Sequence, residues 1–281
     1  MRDSRALGIL LAATVVACNA HDRVPAPHSV GSGAPAHVDA IFVDDFESGT
    51  LAAWADGVDA SRHEIISDPT RARSGSRFLA VTYPAGRDGG WLTRFLVPGH
   101  DSVYVSYFVR FPAGWRGETK LIGLYGSRLD DQWSAFGKAG RCPSGADFFS
   151  TMLVTMPGGE PGAPRFYTYH PGMAREPDGN TCWGRHGDGS ESYLSAGSLS
   201  HDTWHHIEFF VALNAPGRSD ARQIVWIDGV QHGTWQGFSF RTTDALRLNA
   251  VQLTFSVTDG APQAQRLFVD DVTVLSSRPT M

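Results

Sequence analysis

A cation and two phenols fall at alternate positions in the run Arg165-Phe166-Tyr167-Thr168-Tyr169. On an extended strand residues two apart share a face, so Arg165, Tyr167 and Tyr169 are expected to point the same way. A tyrosine whose pKa is lowered by nearby cations can move protons as base or acid. The bland alternative is a packing pair or a platform for a sugar ring. His170, His205, His206 and Glu208 are further acid–base or binding candidates, although a strand-edge histidine is more often only a hydrogen-bonding residue. Ser150 lacks the Gly-x-Ser-x-Gly surroundings of a hydrolase nucleophile. Glu208 has no second acid in an E-x-D-x-x-E or E-x-x-x-E run, whereas retaining glycoside hydrolysis needs two carboxyl groups about 5–5.5 Å apart. No Cys-x-x-Cys pair is present, which argues against a zinc site.

The elements that must position these groups read as strands. Short alternating runs recur between turn signals and no long helical period intervenes. In Ser102 to Phe111, Val103, Val105, Tyr107 and Val109 take one face. In Trp204 to Asn214, Ile207, Phe209 and Val211 oppose His206, Glu208 and Phe210. Gln223 to Ile227 meets Asp228-Gly229, a tight hairpin signal. Leu248 to Val257 turns Val251, Leu253 and Phe255 inward and Gln252, Thr254 and Ser256 outward, where they would form a wet face or the floor of a sugar-binding groove. Such alternation implies antiparallel sheets with one face in water. The fold class expected is all-β, a sandwich or jelly roll of two antiparallel sheets. The net charge of −5 argues against a nucleic-acid partner. An anionic substrate would require a local basic cluster.

Residues 1–17 read as a leader. Arg2 and Arg5 precede an apolar run from Ala6 to Ala17 that is too short for a membrane span. Val15-Val16-Ala17-Cys18 resembles the bacterial lipobox, which implies lipidation of Cys18 and, with Asn19 following, an outer-membrane or cell-surface address; a periplasmic or secreted protein is the alternative. Residues 18–38, rich in Pro, Gly and Ser, read as a flexible tether, and 39–277 as one domain. Cys142 and Cys182 then remain as an even pair in an oxidising compartment and are expected to be disulfide-bonded.

Near the ends, Asp44-Asp45-Phe46-Glu47-Ser48-Gly49 and Phe268-Val269-Asp270-Asp271-Val272 resemble the first and last strands of concanavalin A-like jelly rolls. That resemblance implies a structural calcium ion, with Glu47 and Asp271 as carboxylate ligands and Asp45 a weaker third. Between them, Lys120-Leu121-Ile122-Gly123-Leu124-Tyr125-Gly126, Phe148 to Met152, Arg165 to Tyr169, Trp204-His205-His206-Ile207-Glu208, Leu213-Asn214-Ala215-Pro216-Gly217 and Val225 to Gly229 follow in order. This series resembles the alginate and polyuronate lyases of polysaccharide lyase family fourteen. The resemblance implies a catalytic set of Lys120, Ser150, Tyr167 and Tyr169, with Met152 standing where the family keeps an arginine. Arg165 is the candidate to supply that missing charge.

The implied reaction is β-elimination on a uronate-containing polymer. The substrate-binding set expected is Arg165, His170, His206, Glu208, Gln252 and Thr254. No cofactor is expected for catalysis, and the partner is an acidic polysaccharide met by a monomer touching membrane only through its lipid. The rival reading, motivated by Met152, is a surface lipoprotein that holds glycan on the same groove without cleaving it.

Overall fold

The computed structural model describes residues 40–155, 161–162, 164–184 and 199–279. The leader, Cys18 and the tether lie outside these residues. Among the described residues there are thirteen strands and no helix. They are β1 (Ala40–Asp44), β2 (His63–Ser67), β3 (Arg77–Tyr83), β4 (Trp91–His100), β5 (Ser102–Arg110), β6 (Lys120–Arg128), β7 (Phe148–Thr155), β8 (Pro164–Tyr169), β9 (Trp204–Ala212), β10 (Ala221–Ile227), β11 (Val230–Phe238), β12 (Leu246–Thr254) and β13 (Gln265–Leu275).

The larger sheet runs β11-β10-β9-β5-β13-β3-β2, with β1 also on β13, and the smaller runs β4-β12-β6-β7-β8. All strand pairs are antiparallel. The all-β, two-sheet expectation holds. The chain's ends do meet: Asp44 on β1 lies opposite Val272 on β13.

The core lies between the sheets, where the alternation puts it. Val103, Val105, Tyr107 and Val109 of β5 and Ile207, Phe209 and Val211 of β9 are buried against Leu121, Ile122, Leu124, Phe149, Leu153, Val251 and Leu253. Burying such β-branched and aromatic side chains contributes about 1.5–3 kcal/mol each.

The outer face of the smaller sheet departs from a simple wet face. Tyr125, Phe148, Met152, Val154, Tyr169 and Ala250 form a second apolar cluster there, covered by Ala135, Met173 and Cys182 from two loops, 129–147 and 170–184. Cys142 and Cys182 are bonded, so the two loops are stapled together. The backbone reinforces the staple, with the Cys182 amide donating to the Gly140 carbonyl at 3.3 Å.

Candidate active site

Strand register brings the candidate groups together on that covered face. Met152 of β7 pairs with Gly123 on one side and Tyr167 on the other. One row along, Ser150 pairs with Tyr125 and Tyr169. Lys120 reaches the same face through an irregularity in β6. It pairs with Val154, whereas Gly123 pairs with Met152, so the chain slips by one residue between them. A β-bulge re-aims side chains in this way. Leu121 and Ile122 both turn into the core, and Lys120 turns outward.

The result is a cleft of about 430 Å³ lined by Lys120, Ser150, Met152, Tyr167, Tyr169 and Thr254 from the strands, and by Lys138 and Trp183 from the stapled loops. Two glycines keep it open. A Cβ on Gly123 would lie 2.8 Å from the Met152 Cβ and 2.9 Å from the Thr151 carbonyl oxygen. A Cβ on Gly184 would lie 2.5 Å from the ring of Tyr167, so the loop backbone sits directly against the phenol.

The hydroxyls of Tyr167 and Tyr169 are 3.3 Å apart, close enough to share a proton. The Lys120 ammonium stands 5.8 Å from the centroid of the Tyr167 ring. Burial holds the Lys120 pKa below the ordinary lysine range, against the pull of Glu118. Behind these groups lies a fixed polar layer. Tyr125 donates to Gln252 Oε1 at 3.0 Å, Thr254 donates to the same oxygen at 2.8 Å, and Gln252 Nε2 donates to Thr93 at 2.8 Å. Burial pushes the Tyr125 phenol up to about 12, so it holds the layer in place and does not exchange protons near neutrality.

Other candidates stand elsewhere. Arg165 shares the strand face with Tyr167 and pairs with Val154, yet it is not part of the cleft wall, and its buried Nε makes no hydrogen bond among the described residues. The second cation of the wall is Lys138, which sequence reasoning missed because it lies in a loop without strand periodicity. His170 donates from Nδ1 to the Pro171 carbonyl at 2.9 Å, with its ring against Phe238 and Phe240. Burial lowers its pKa, and it does not reach the cleft.

His206 and Glu208 are not in the groove, contrary to the expectation. They belong to β9, hence to the larger sheet, on the face away from the core. Alternation assigns a residue to a face but not to a sheet. There His206 stacks on Phe108 at 4.5 Å and bonds Ser106 at 2.7 Å. Glu208 accepts from Tyr104 at 2.6 Å and from Arg278 at 3.0 Å. Burial works to raise its carboxyl, and these donors hold it below the usual range.

The calcium ligands also behave differently from the expectation. The Glu47 carboxylate accepts the amides of Ser76 and Arg77 at 2.7 and 2.6 Å and the Ser76 hydroxyl at 2.9 Å. The Arg77 guanidinium donates to the Glu47 carbonyl at 2.7 Å. Asp45 accepts the Glu47 amide, and Asp271 accepts the Ser74 hydroxyl. Calcium wants about six to eight oxygen ligands, whereas N–H donors and an arginine crowd this set. Among the described residues no three Asp, Glu, His or Cys side chains gather as a metal-binding group. These carboxylates do not fit the ion; Glu47 instead clamps the opening turn to β3.

Comparisons with known proteins bear on this geometry. A search of curated proteins gives no match. Among solved structures, the alginate lyase of Aplysia kurodai superposes with a TM-score of 0.64 at 17% identity, covering 85% of this chain and 100% of that one. An alginate lyase from a Chlorella virus gives 0.65 at 15% identity, with 85% and 100% covered. The alginate lyase Aly36B, substituted at a lysine and a methionine and holding an alginate trisaccharide, gives 0.59 at 20% identity, with 84% and 98% covered. At these identities the likeness shows a shared fold. The family model for polysaccharide lyase 14 matches residues 73–257, which include every strand that lines the cleft, and this chain therefore belongs to the polysaccharide lyase 14 family.

Proposed function

We propose that the chain cleaves a uronate-containing polysaccharide, alginate or a related polyuronate, by β-elimination. The observation that carries this reading is the pair of phenols 3.3 Å apart beneath the Lys120 ammonium, in a cleft with a second lysine.

The chemistry needs two things from the protein. The uronate carboxylate must be neutralised before the carbon next to it can release a proton, an electrostatic task for preorganised cations. Lys120 and Lys138 supply them, and Ser150 adds a hydroxyl. A base must then take that proton while an acid delivers one to the departing glycosidic oxygen. Tyr167 and Tyr169 fill these roles: the one that starts as phenolate takes the proton from carbon, the other gives its phenolic proton to the leaving oxygen, and transfer of one proton across the 3.3 Å contact restores the pair. The carbon–oxygen bond breaks, an unsaturated uronate remains at the new chain end, and no water is consumed. Met152 occupies the position of the family's arginine, and the loop cation Lys138 offsets that loss.

The test is to incubate the purified domain with alginate, glucuronan and related polyuronates and to follow the ultraviolet absorbance of the unsaturated product. Absorbance with one of them is expected. Binding without absorbance would favour the glycan-holding alternative, for which Met152 and the exposed Trp183 are the supporting residues. The lipobox-like Val15 to Cys18 supports action at the cell surface on polymer outside the cell.

A further inference from the structure

Beside the catalytic cleft lies a second, more open hollow of about 640 Å³. Its wall contains Lys138, Arg141 and Arg175, with Asp147 as the acidic member. Lys138 belongs to both walls, so the two hollows are contiguous. Asp147 is committed: it accepts the amide and hydroxyl of Ser144, both at 2.8 Å, and the amide of Phe148 at 2.9 Å. Arg175 is steadied by a bond from Nη1 to the Gly179 carbonyl at 3.0 Å. The chain as a whole is acidic, at −5, yet this corner is cationic.

The position of these cations in the fold matters. Arg141 adjoins Cys142 in one loop, and Arg175 lies in the loop that carries Cys182. The disulfide therefore ties together the two loops that carry the arginines. Without it, two independent loops would each have to be ordered when an anion bound, at a cost in chain entropy.

We propose that Lys138, Arg141 and Arg175 form a disulfide-stapled subsite that holds a second carboxylate of the same polyanionic chain, one or more sugar residues away from the uronate that reacts. This rests on the lyase reading and extends it. Guanidinium groups suit a carboxylate because they can donate two parallel hydrogen bonds. Lys138, between the hollows, would bridge neighbouring uronates. The subsite makes the enzyme a reader of polymer and ties its affinity to ionic strength, because exposed charges are screened by salt.

The experiment compares wild type with the Arg141→Ala/Arg175→Ala double variant on long polyuronate and on short oligosaccharides. An Arg218→Ala variant removes an equal kind of charge from the β9–β10 turn of the other sheet. For the double variant, KM on polymer should rise roughly three- to tenfold, the range expected of two partly exposed charge contacts. The rise should shrink as salt increases, kcat should fall less than twofold, and the short substrate should lose less affinity than the polymer. Arg218→Ala should leave KM on polymer as in wild type.

An unchanged KM and salt dependence in the double variant, with wild type active, would overturn the subsite and leave the lyase reading standing. If wild type cleaves nothing, the same comparison is made on polymer retention in affinity electrophoresis. Retention lost in the double variant then supports the subsite while the lyase reading fails. Equal retention overturns both.

Discussion

Tyr167 and Tyr169 carry the same chemistry but not the same surroundings. Tyr169 is buried at 5% exposure, beside the high-pKa phenol of Tyr125. Tyr167 is half-buried, and the Lys120 ammonium faces its ring. In the proposed reaction the Lys120 ammonium over the Tyr167 ring makes Tyr167 the candidate base, since a nearby cation favours a phenolate, and leaves the part of acid to Tyr169. Tyr167→Phe should lower kcat by about 10²–10⁴-fold, the usual worth of a positioned proton carrier, with KM little changed. A kcat within a few-fold of wild type would remove Tyr167 from the reaction. Lys120 permits a second prediction with opposite signs on two readouts. Burial lowers its folded pKa below the unfolded value, so between the two values the unfolded chain holds more protons and stability rises with pH. At neutral pH the charged ammonium is therefore a burden on the fold. Lys120→Met should abolish turnover and raise the melting temperature at pH 7, with that gain shrinking as pH climbs through the lowered lysine pKa. A drop in melting temperature at pH 7 would show that the ammonium is held by favourable partners.

The elements divide into those whose places follow from sequence periodicity and those whose places do not. The stapled loops are of the second kind, and they carry two tests. Breaking the Cys142–Cys182 bond, whose ends are 40 residues apart, should cost about 4 kcal/mol on the chain-entropy model and raise KM, while the strand signal in circular dichroism persists. Loss of the strand signal instead would mean the staple is needed for the sheets themselves. Gly184→Ala would drive a methyl into the Tyr167 ring, so its kcat should fall with little change in stability, because the displaced group is one half-buried side chain that opens on the cleft. Strand alternation, by contrast, anticipated the inward set Val103, Val105, Tyr107 and Val109 and the outward Gln252 and Thr254. The Asp228-Gly229 hairpin was equally readable, since its turn chemistry is local; Asp228 takes a positive φ of 51°. Period-two reasoning could not see the slip between Lys120 and Gly123, because one extra residue inverts the faces without changing composition. Nor does it tell which sheet receives β9, and His206 and Glu208 lie on the larger sheet, away from the groove. Lys138 left no periodic signal at all.

At the scale of the whole molecule, the closing strand carries a buried charge that ties stability to pH. Asp270 on β13 is fully buried, and its two oxygens accept the amides of Arg73 and Asp271, each at 2.9 Å. Burial pushes its carboxyl up to about 7 despite these donors, and the neighbouring Asp271 adds to the push. The sign follows from linkage. Below its ordinary value of 3.8 the group is protonated folded or unfolded. Between 3.8 and about 7 the folded chain keeps a proton that the unfolded chain has released, so each step up in pH favours unfolding. Above about 7 both forms are ionised and the loss is complete, on the order of a few kcal/mol at 1.36 kcal/mol per unit. Glu47 acts in the opposite sense: the Ser76 and Arg77 amides hold its carboxyl below 4.5, so its contribution is present above that value and fades in acid. The two clamps, both binding the segment 73–77, together contribute most in the mildly acidic range. Asp270→Asn isolates one of them. The amide loses one of the two acceptor contacts, a roughly constant cost of about 1 kcal/mol at every pH. The wild-type advantage over the variant should therefore be largest near pH 4, fall up to about pH 7 and level off above it in urea melts. A difference that stays flat across that range would mean the carboxyl is ionised throughout, with the two amides outweighing burial.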